Sequence, residues 1–296
     1  MPAAANTLDT PAARVLLEFD RIKAEFHTQG YVLLRGFFSP QIVQQARREM
    51  EGLIDRFANT LHANGKIADR CENAPFETRL IQIAAQAAAE IPGHFNKELH
   101  LAGLFDIFLN QRLLDVIELF LGSEVRLYPN YMCRPKLPED PRMQVLWHQD
   151  AAYTAGYKSP EGNLESLRMV NCWSPLVPAR VANGCMQFIP KSHELGLIAH
   201  DWREHYLEID RAVLDPLMAG LIDVEMDPGD IVFFSNLLFH QGLPNTSQAV
   251  RWSFDWRYQD ATQPTMRTSK GHLVRSRNPD ATVIKSADEW AKTVWQ

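Results

Sequence analysis

Two stretches far apart in the chain carry side chains able to grip a metal ion. The first is Trp147-His148-Gln149-Asp150, in the run Met143-Gln-Val-Leu-Trp-His-Gln-Asp-Ala. On an extended strand, residues i and i+2 share a face, so His148 and Asp150 are expected to project an imidazole and a carboxylate to one side. Gln149 then faces outward between them, and Trp147 packs behind. The second stretch is Phe233-Phe-Ser-Asn-Leu-Leu-Phe-His-Gln-Gly, which places His240 after the turn Pro228-Gly229-Asp230. Two histidines and one carboxylate on one face of an ion leave three coordination positions open, the arrangement of non-haem Fe(II) oxygenases. Arg251 then opens Arg-Trp-Ser-Phe-Asp-Trp-Arg-Tyr. A guanidinium pointing into an apolar barrel is costly unless a carboxylate meets it, and its rigid fork suits a dicarboxylate held bidentately.

Each piece has a plainer reading. Most H-x-D triplets are ordinary surface or strand-end residues. His240 alone could be a satisfied, half-buried histidine, and Arg251 alone half of a surface ion pair. Of the ten histidines, His94, His100, His193, His200, His205 and His272 have no comparable context and read as structural. The combination, in order, is much harder to obtain by accident.

The elements that must position these residues follow from periodicity. Residues 1 to about 14 are Ala/Pro/Thr-rich and read as a disordered N-terminus. Leu16–Phe26 has helical spacing, stopped by Gly30. Tyr31–Phe38 reads as a short strand and turn. Ser39-Pro40 is an N-cap and N1 pair opening a helix to about His62, followed by a polar loop over 63–79. Helical segments follow at Ile81–Ala89 and Leu101–Leu121. From Val125 the period becomes two, with strands expected at Val125–Arg134, Met143–His148, Leu167–Leu176, Cys185–Pro190, Leu221–Met226, Ile231–Phe234 and Val250–Tyr258. Ser286 caps a last helix, with Glu289 at N3. The layout is a single α+β domain over 15–296 with a mainly β core: helical from 15 to 122, a barrel or sandwich from about 123 to 260, and a C-terminal extension over 261–296.

Bulk properties restrict the partners. With 46% hydrophobic and 22% charged residues, this is an ordinary globular composition. A net charge of -6 argues against a nucleic-acid or anionic-membrane surface. No apolar run reaches the ~18 residues of a membrane span, and the first residues lack a signal-peptide pattern. The four cysteines, Cys71, Cys133, Cys172 and Cys185, form no C-x-x-C pair, which fits a reduced, cytoplasmic setting and argues against thiolate ligation of zinc. Oligomeric state is not legible.

Several pieces together resemble one known family: Gly30-Tyr-Val-Leu-Leu-Arg-Gly-Phe-Phe, Trp147-His-Gln-Asp150, Asn183-Gly-Cys-Met-Gln-Phe-Ile-Pro-Lys-Ser-His193, Pro228-Gly-Asp230, His240-x-Gly-x-x-Asn and Arg251. Over roughly residues 20 to 260 the chain resembles the phytanoyl-CoA dioxygenase family of Fe(II)/2-oxoglutarate-dependent oxygenases. The resemblance implies a double-stranded β-helix, the jelly-roll or cupin-like barrel, flanked by N-terminal helices. It implies Fe(II) on His148, Asp150 and His240, the distal carboxylate of 2-oxoglutarate on Arg251, and dioxygen as oxidant. Further cosubstrate contacts map to Met132 or Tyr128 and to Trp173, for which plain core packing is the competing reading. Some family members carry, two places after the distal histidine, a hydroxyl residue that bonds the cosubstrate; here that position is Gly242.

The reaction so implied is oxidation, most simply hydroxylation, of an aliphatic C–H bond in a small molecule, with release of succinate and carbon dioxide. Asp150 argues against a halogenase, because related halogenases lose that carboxylate. The segment 151–168 reads as a lid; Tyr153 and Tyr157 within it, and Gln144 on the face of His148 if that strand is regular, are the expected substrate contacts. Its only basic residues are Lys158 and Arg168, which favours an uncharged or zwitterionic molecule over an acyl-CoA. Two rivals stay open: a cupin-type metalloenzyme that does not use 2-oxoglutarate, and a metal-free binding protein on the same fold.

Overall fold

A long strand near the C-terminus separates the two working surfaces of the molecule. In the computed structural model, which describes residues 11–155, 167–203 and 206–295, this strand runs Arg251–Asp260. Its even residues, Trp252, Phe254, Trp256 and Tyr258, join the large apolar core. Its odd residues include Arg251, Asp255 and Arg257, which line a cavity on the other side.

In chain order the elements are α1 (Pro11–Gln29), β1 (Tyr31–Leu34), α2 (Pro40–Ala63), α3 (Phe76–Ala87), α4 (Phe105–Phe108), α5 (Gln111–Leu121), β2 (Val125–Leu127), β3 (Met132–Lys136), β4 (Val145–His148), α6 (Asp150–Ala155), β5 (Met169–Pro175), β6 (Met186–Phe188), β7 (His200–Trp202), β8 (Leu207–Ile209), α7 (Arg211–Leu214), β9 (Ile222–Val224), β10 (Ile231–Ser235), β11 (His240–Gly242), β12 (Arg251–Asp260), β13 (His272–Arg275) and α8 (Ala287–Lys292). One sheet has the order β1-β10-β5-β12-β2-β13, with β3 also on β12; a second has β4-β11-β6-β9. Their paired strands are antiparallel. β7 and β8 form a separate hairpin. Trp173, Phe234 and Val232 of the larger sheet pack against Met186, Phe188 and Val224 of the smaller one. This is the jelly-roll arrangement, with α2, α3 and α5 packed on the outer face of the larger sheet.

Local chemistry accounts for where the elements begin and end. Ser39 caps α2, its side chain accepting from the backbone N–H of Ile42. Ser286 caps α8 through the N–H of Glu289. The helix expected over Leu101–Leu121 is broken: the Asn110 side chain accepts from the N–H of Leu113 and starts α5 afresh. α3 begins at Phe76, inside the expected loop, directly after Pro75. The strand expected over Val125–Arg134 is two strands, since residues 128–131, with Pro129, leave the ladder. α1 starts at Pro11, within the segment expected to be disordered; residues 1–10 of that segment lie outside the described residues. Among the described residues no helix is long and apolar enough to cross a membrane.

Trp252 anchors the helical layer to the sheet. It is fully buried, stacked on Phe76 at a ring distance of 5.0 Å and on Phe95 at 6.2 Å. Removing a buried indole costs its transfer energy plus the cavity left behind. Trp252→Ala is therefore expected to lower unfolding stability by about 3–5 kcal/mol, measured by urea titration of the far-UV circular dichroism. A loss below ~1 kcal/mol would show that this contact does not hold the layers together.

Candidate metal centre

The three residues expected to act as ligands meet at one buried point. β11 pairs with β4 so that His240 stands directly opposite His148, with the rings 4.0 Å apart. Asp150 arrives by a different route from the one expected. β4 ends at His148 and the chain turns into α6, whose first residue is Asp150. Its Oδ1 lies 3.4 Å from His148 Nε2 and 4.0 Å from His240 Nε2. The three ligand atoms fall within 4.8 Å of one another.

The hydrogen bonds around the histidines aim them. Nδ1 of His148 lies 2.7 Å from the Leu146 carbonyl oxygen, and Nδ1 of His240 lies 2.9 Å from that of Leu238. A carbonyl can only accept, so each Nδ1 carries the proton and each Nε2 turns a lone pair toward Asp150. Burial and the neighbouring His148 push His240 down to about 3, so it is neutral at pH 7. Two buried imidazoles whose Nε2 atoms face one buried carboxylate suit a divalent transition metal.

Asp150 also meets an arginine that the sequence reading did not single out. Arg257 on β12 places Nη2 2.8 Å from Oδ1 and Nε 3.2 Å from Oδ2 of Asp150. Burial alone would raise the Asp150 pKa; Arg257, followed by His148 and His240, outweighs it and holds the carboxyl well below the usual range. Arg257 also donates to the Asn130 carbonyl at 3.1 Å. Asp255 on the same face accepts from Arg134 Nε at 2.6 Å. The signal was present: Arg251, Ser253, Asp255, Arg257 and Gln259 form a polar row alternating with four aromatics.

Arg251 lies in the same cavity, buried, with its guanidinium carbon 5.3 Å from the centre of the Trp173 ring. Nη1 donates to Ser253 Oγ, while Nε has no partner among the described residues. Burial and then Arg134 push Arg251 down to about 10. Trp173 and Met132 line the cavity, as does Lys136, which was not anticipated. Tyr128 does not line it: cut off from β3 by the break at residues 128–131, it packs with Leu167, Met169 and Met266.

The remaining expectations divide. Tyr153 lines the cavity from α6, its ring 5.1 Å from His148 and its hydroxyl accepting from the N–H of Leu207 at 3.0 Å. Gln144 is exposed, and Val145 takes the cavity position. The cause is a bulge: His240 faces His148, but Gly242 faces Val145, so β4 carries one extra residue and its parity flips. Tyr157 lies outside the described residues. Gln149 is not outward but fully buried, donating to the Gly196 and Leu237 carbonyls at 2.7 Å each and accepting from Ile198 N–H at 2.8 Å. His200 accepts the Gln149 backbone N–H at 3.0 Å, a structural role as expected. Half-buried His100 joins buried Tyr131 and His272 in a separate cluster, with His100 Nε2 2.7 Å from the tyrosine hydroxyl. His205 lies outside the described residues.

Comparison with known proteins agrees with this geometry. Residues 26–253 match the model of the family Phytanoyl-CoA dioxygenase (PhyH). The 1-deoxypentalenic acid 11-beta-hydroxylase of Streptomyces arenae is 25% identical over 251 residues, covering 80% of this chain and 80% of that protein. The phytanoyl-CoA dioxygenase of Arabidopsis thaliana is 22% identical over 249 residues, covering 77% and 84%. Among solved structures, EctD from S. alaskensis with 2-oxoglutarate and 5-hydroxyectoine aligns with a TM-score of 0.55 and 19% identity, covering 88% of this chain and 81% of that one. The epimerase SnoN in complex with Fe3+, alpha ketoglutarate and nogalamycin RO aligns with a TM-score of 0.58 and 18% identity, covering 92% and 94%. At such identities the structural likeness speaks for the fold. The family match spans most of the chain, and from it the chemistry follows: the chain belongs to the phytanoyl-CoA dioxygenase family of Fe(II)- and 2-oxoglutarate-dependent oxygenases.

Proposed function

We propose that the protein hydroxylates an aliphatic C–H bond of a small molecule bearing an acidic group. His148, Asp150 and His240 hold Fe(II), and Arg251 receives the distal carboxylate of 2-oxoglutarate. Trp173 and Met132 flank the cosubstrate. The observation that carries this reading is that one cavity of about 290 Å³ is lined both by the two histidines with Asp150 and by a buried arginine whose Nε lacks a partner among the described residues. The iron centre, when loaded with 2-oxoglutarate and dioxygen, supplies the oxidising power. The protein's own groups orient and shield. The two backbone carbonyls lock the imidazole tautomers, Arg257 fixes the carboxylate plane of Asp150, and Trp173 covers Arg251. A cytoplasmic location accords with four free, buried cysteines.

The substrate class rests on charge. The cavity is lined by Arg134, Lys136, Arg251 and Arg257 against Asp150 and Asp255, more cations than acids before any metal is bound. These cations come from β3 and β12 rather than from the expected lid. Arg168 instead turns to Asp260 at 2.8 Å and to the Phe120 carbonyl, and Lys158 lies outside the described residues. This favours an anionic substrate over the uncharged or zwitterionic one expected. Two relatives are named as hydroxylases of acids, 1-deoxypentalenic acid and methylphosphonate. Tyr153 and Tyr206, which line the cavity beside Arg134, supply the walls of the substrate pocket.

The deciding experiment is anaerobic titration with Fe(II) and 2-oxoglutarate, followed by a panel of small acids and their methyl esters scored for succinate. Acids are expected to stimulate succinate formation and their esters not to. Equal stimulation by both would refute the anionic class, and no 2-oxoglutarate binding would refute the cosubstrate assignment. Asp150→Ala is expected to weaken Mn(II) binding at least ~100-fold, read by electron paramagnetic resonance of free Mn(II); unchanged affinity would remove Asp150 from the ligand set. Arg257→Gln leaves the Asp150 carboxylate buried without its cation. The metal-free protein should lose about 3–5 kcal/mol, with a Tm gain on adding Mn(II) larger than in the wild type. Equal gains in both would mean that Arg257 does not hold the carboxylate.

A further inference from the structure

Among all the charged groups in the described residues, one pair stands in an unusual relation. Lys136, the last residue of β3, is directly opposite Arg251 in the antiparallel ladder. Directly opposed residues share a face and lie about 5 Å apart at Cβ, and like charges there repel. Both side chains are buried and both line the cavity. Neither is in an ion pair with a carboxylate among the described residues. Lys136 Nζ donates to the carbonyls of Gly242 (3.1 Å) and Leu243, and Arg251 donates to Ser253 Oγ. Asp255 on the same strand is taken by Arg134 at 2.6 Å and Arg257 at 3.5 Å. An ammonium has three donors and a guanidinium five, so both retain donors for an incoming anion.

The space for this lysine is provided by two glycines. A Cβ on Gly184, which has a left-handed φ of +87°, would stand 2.6 Å from Lys136 Cδ. A Cβ on Gly242 would stand 3.2 Å from Lys136 Nζ. The aliphatic stem is thus threaded past Gly184 so that the ammonium reaches the place where a side chain at 242 would begin.

We propose that Lys136 is a second cationic clamp, beside Arg251, for the distal carboxylate of 2-oxoglutarate, its ammonium standing where a side chain on residue 242 would begin. The proposal rests on the cosubstrate reading given above. A carboxylate between the two cations converts their repulsion into two charge-assisted contacts. Burial first, and Arg251 second, pull Lys136 down to about 6, so the ammonium is disfavoured until an anion arrives. The competing role is a purely structural strap on the carbonyls of β11.

Calorimetric titration of the Mn(II)-loaded protein, in which no turnover occurs, separates these roles. The two ligands are 2-oxoglutarate and 2-oxovalerate, which has the same chain without the distal carboxylate. Lys136→Met should weaken 2-oxoglutarate roughly ten- to hundred-fold and leave 2-oxovalerate within about three-fold. Lys136→Gln, which keeps amide donors for the two carbonyls but no charge, should show the same selective loss even if Lys136→Met does not fold. Adding Gly242→Ser to Lys136→Met should recover much of the lost affinity. An unchanged 2-oxoglutarate affinity in both single variants, or equal loss for both ligands, would overturn the clamp while leaving the cosubstrate reading intact. Failure of the wild type to bind 2-oxoglutarate would overturn both.

Discussion

The Asp150–Arg257 pair ties the centre of this molecule together. Asp150 follows a strand of the smaller sheet, while Arg257 belongs to the middle of the larger one, so a single buried ion pair crosses the cavity between them. Two buried charges are tolerable only when each is well partnered. Here the carboxylate meets the guanidinium through both oxygens, and the guanidinium also finds the Asn130 carbonyl. The geometry of the three candidate ligands depends on this pair, because it fixes which edge of the carboxylate faces the histidines. Pairing of β4 with β11 supplies the rest, by setting the two imidazoles opposite each other.

Much of the site was legible because its signals are short-range. His148, Asp150, His240 and Arg251 could be picked out by type and order, and the N-caps Ser39 and Ser286 mark real helix starts. What escaped was governed by contacts that single-strand periodicity cannot see. Gln144 was placed by counting alternate residues, and a bulge against β11 flipped the count. Gln149 was read as outward because a two-residue alternation has only an inside and an outside. The segment around Gly196–His200 covers that outside and, together with the Leu237 carbonyl, satisfies the amide. Tyr128 was tied to Met132 by an assumed regular strand that Pro129 interrupts. Arg257 and Lys136 were missed for another reason: their meaning lies in the residue opposite, Asp150 in one case and Arg251 in the other.

The cations of the cavity divide between two tasks. Arg251 and Lys136 stand opposed with no ion-paired acid among the described residues, while Arg134 is paired with Asp255 and Arg257 with Asp150. The first arrangement asks for an anion. The second is close to balanced and so can discriminate among ligands by a single charge. This separation also bears on the rival readings of the sequence. A cupin-type enzyme that dispensed with 2-oxoglutarate would have no use for two opposed cations without an ion-paired acid, and family membership points the same way.

The alternation of β12 has a further consequence for how such a protein can change. Because side chains on a strand repeat every two residues, a slip of one position would exchange its faces entirely. Trp252, Phe254 and Trp256 would enter the cavity, and Arg251, Asp255 and Arg257 would be driven into the aromatic layer beneath the helices. A single-residue insertion or deletion here would thus cost the core and the chemistry together. Point substitutions on the odd positions, by contrast, can alter what the cavity recognises while the hydrophobic foundation stays untouched. The strand works as a keyed rack: it admits new teeth one at a time and forbids any shift of the whole.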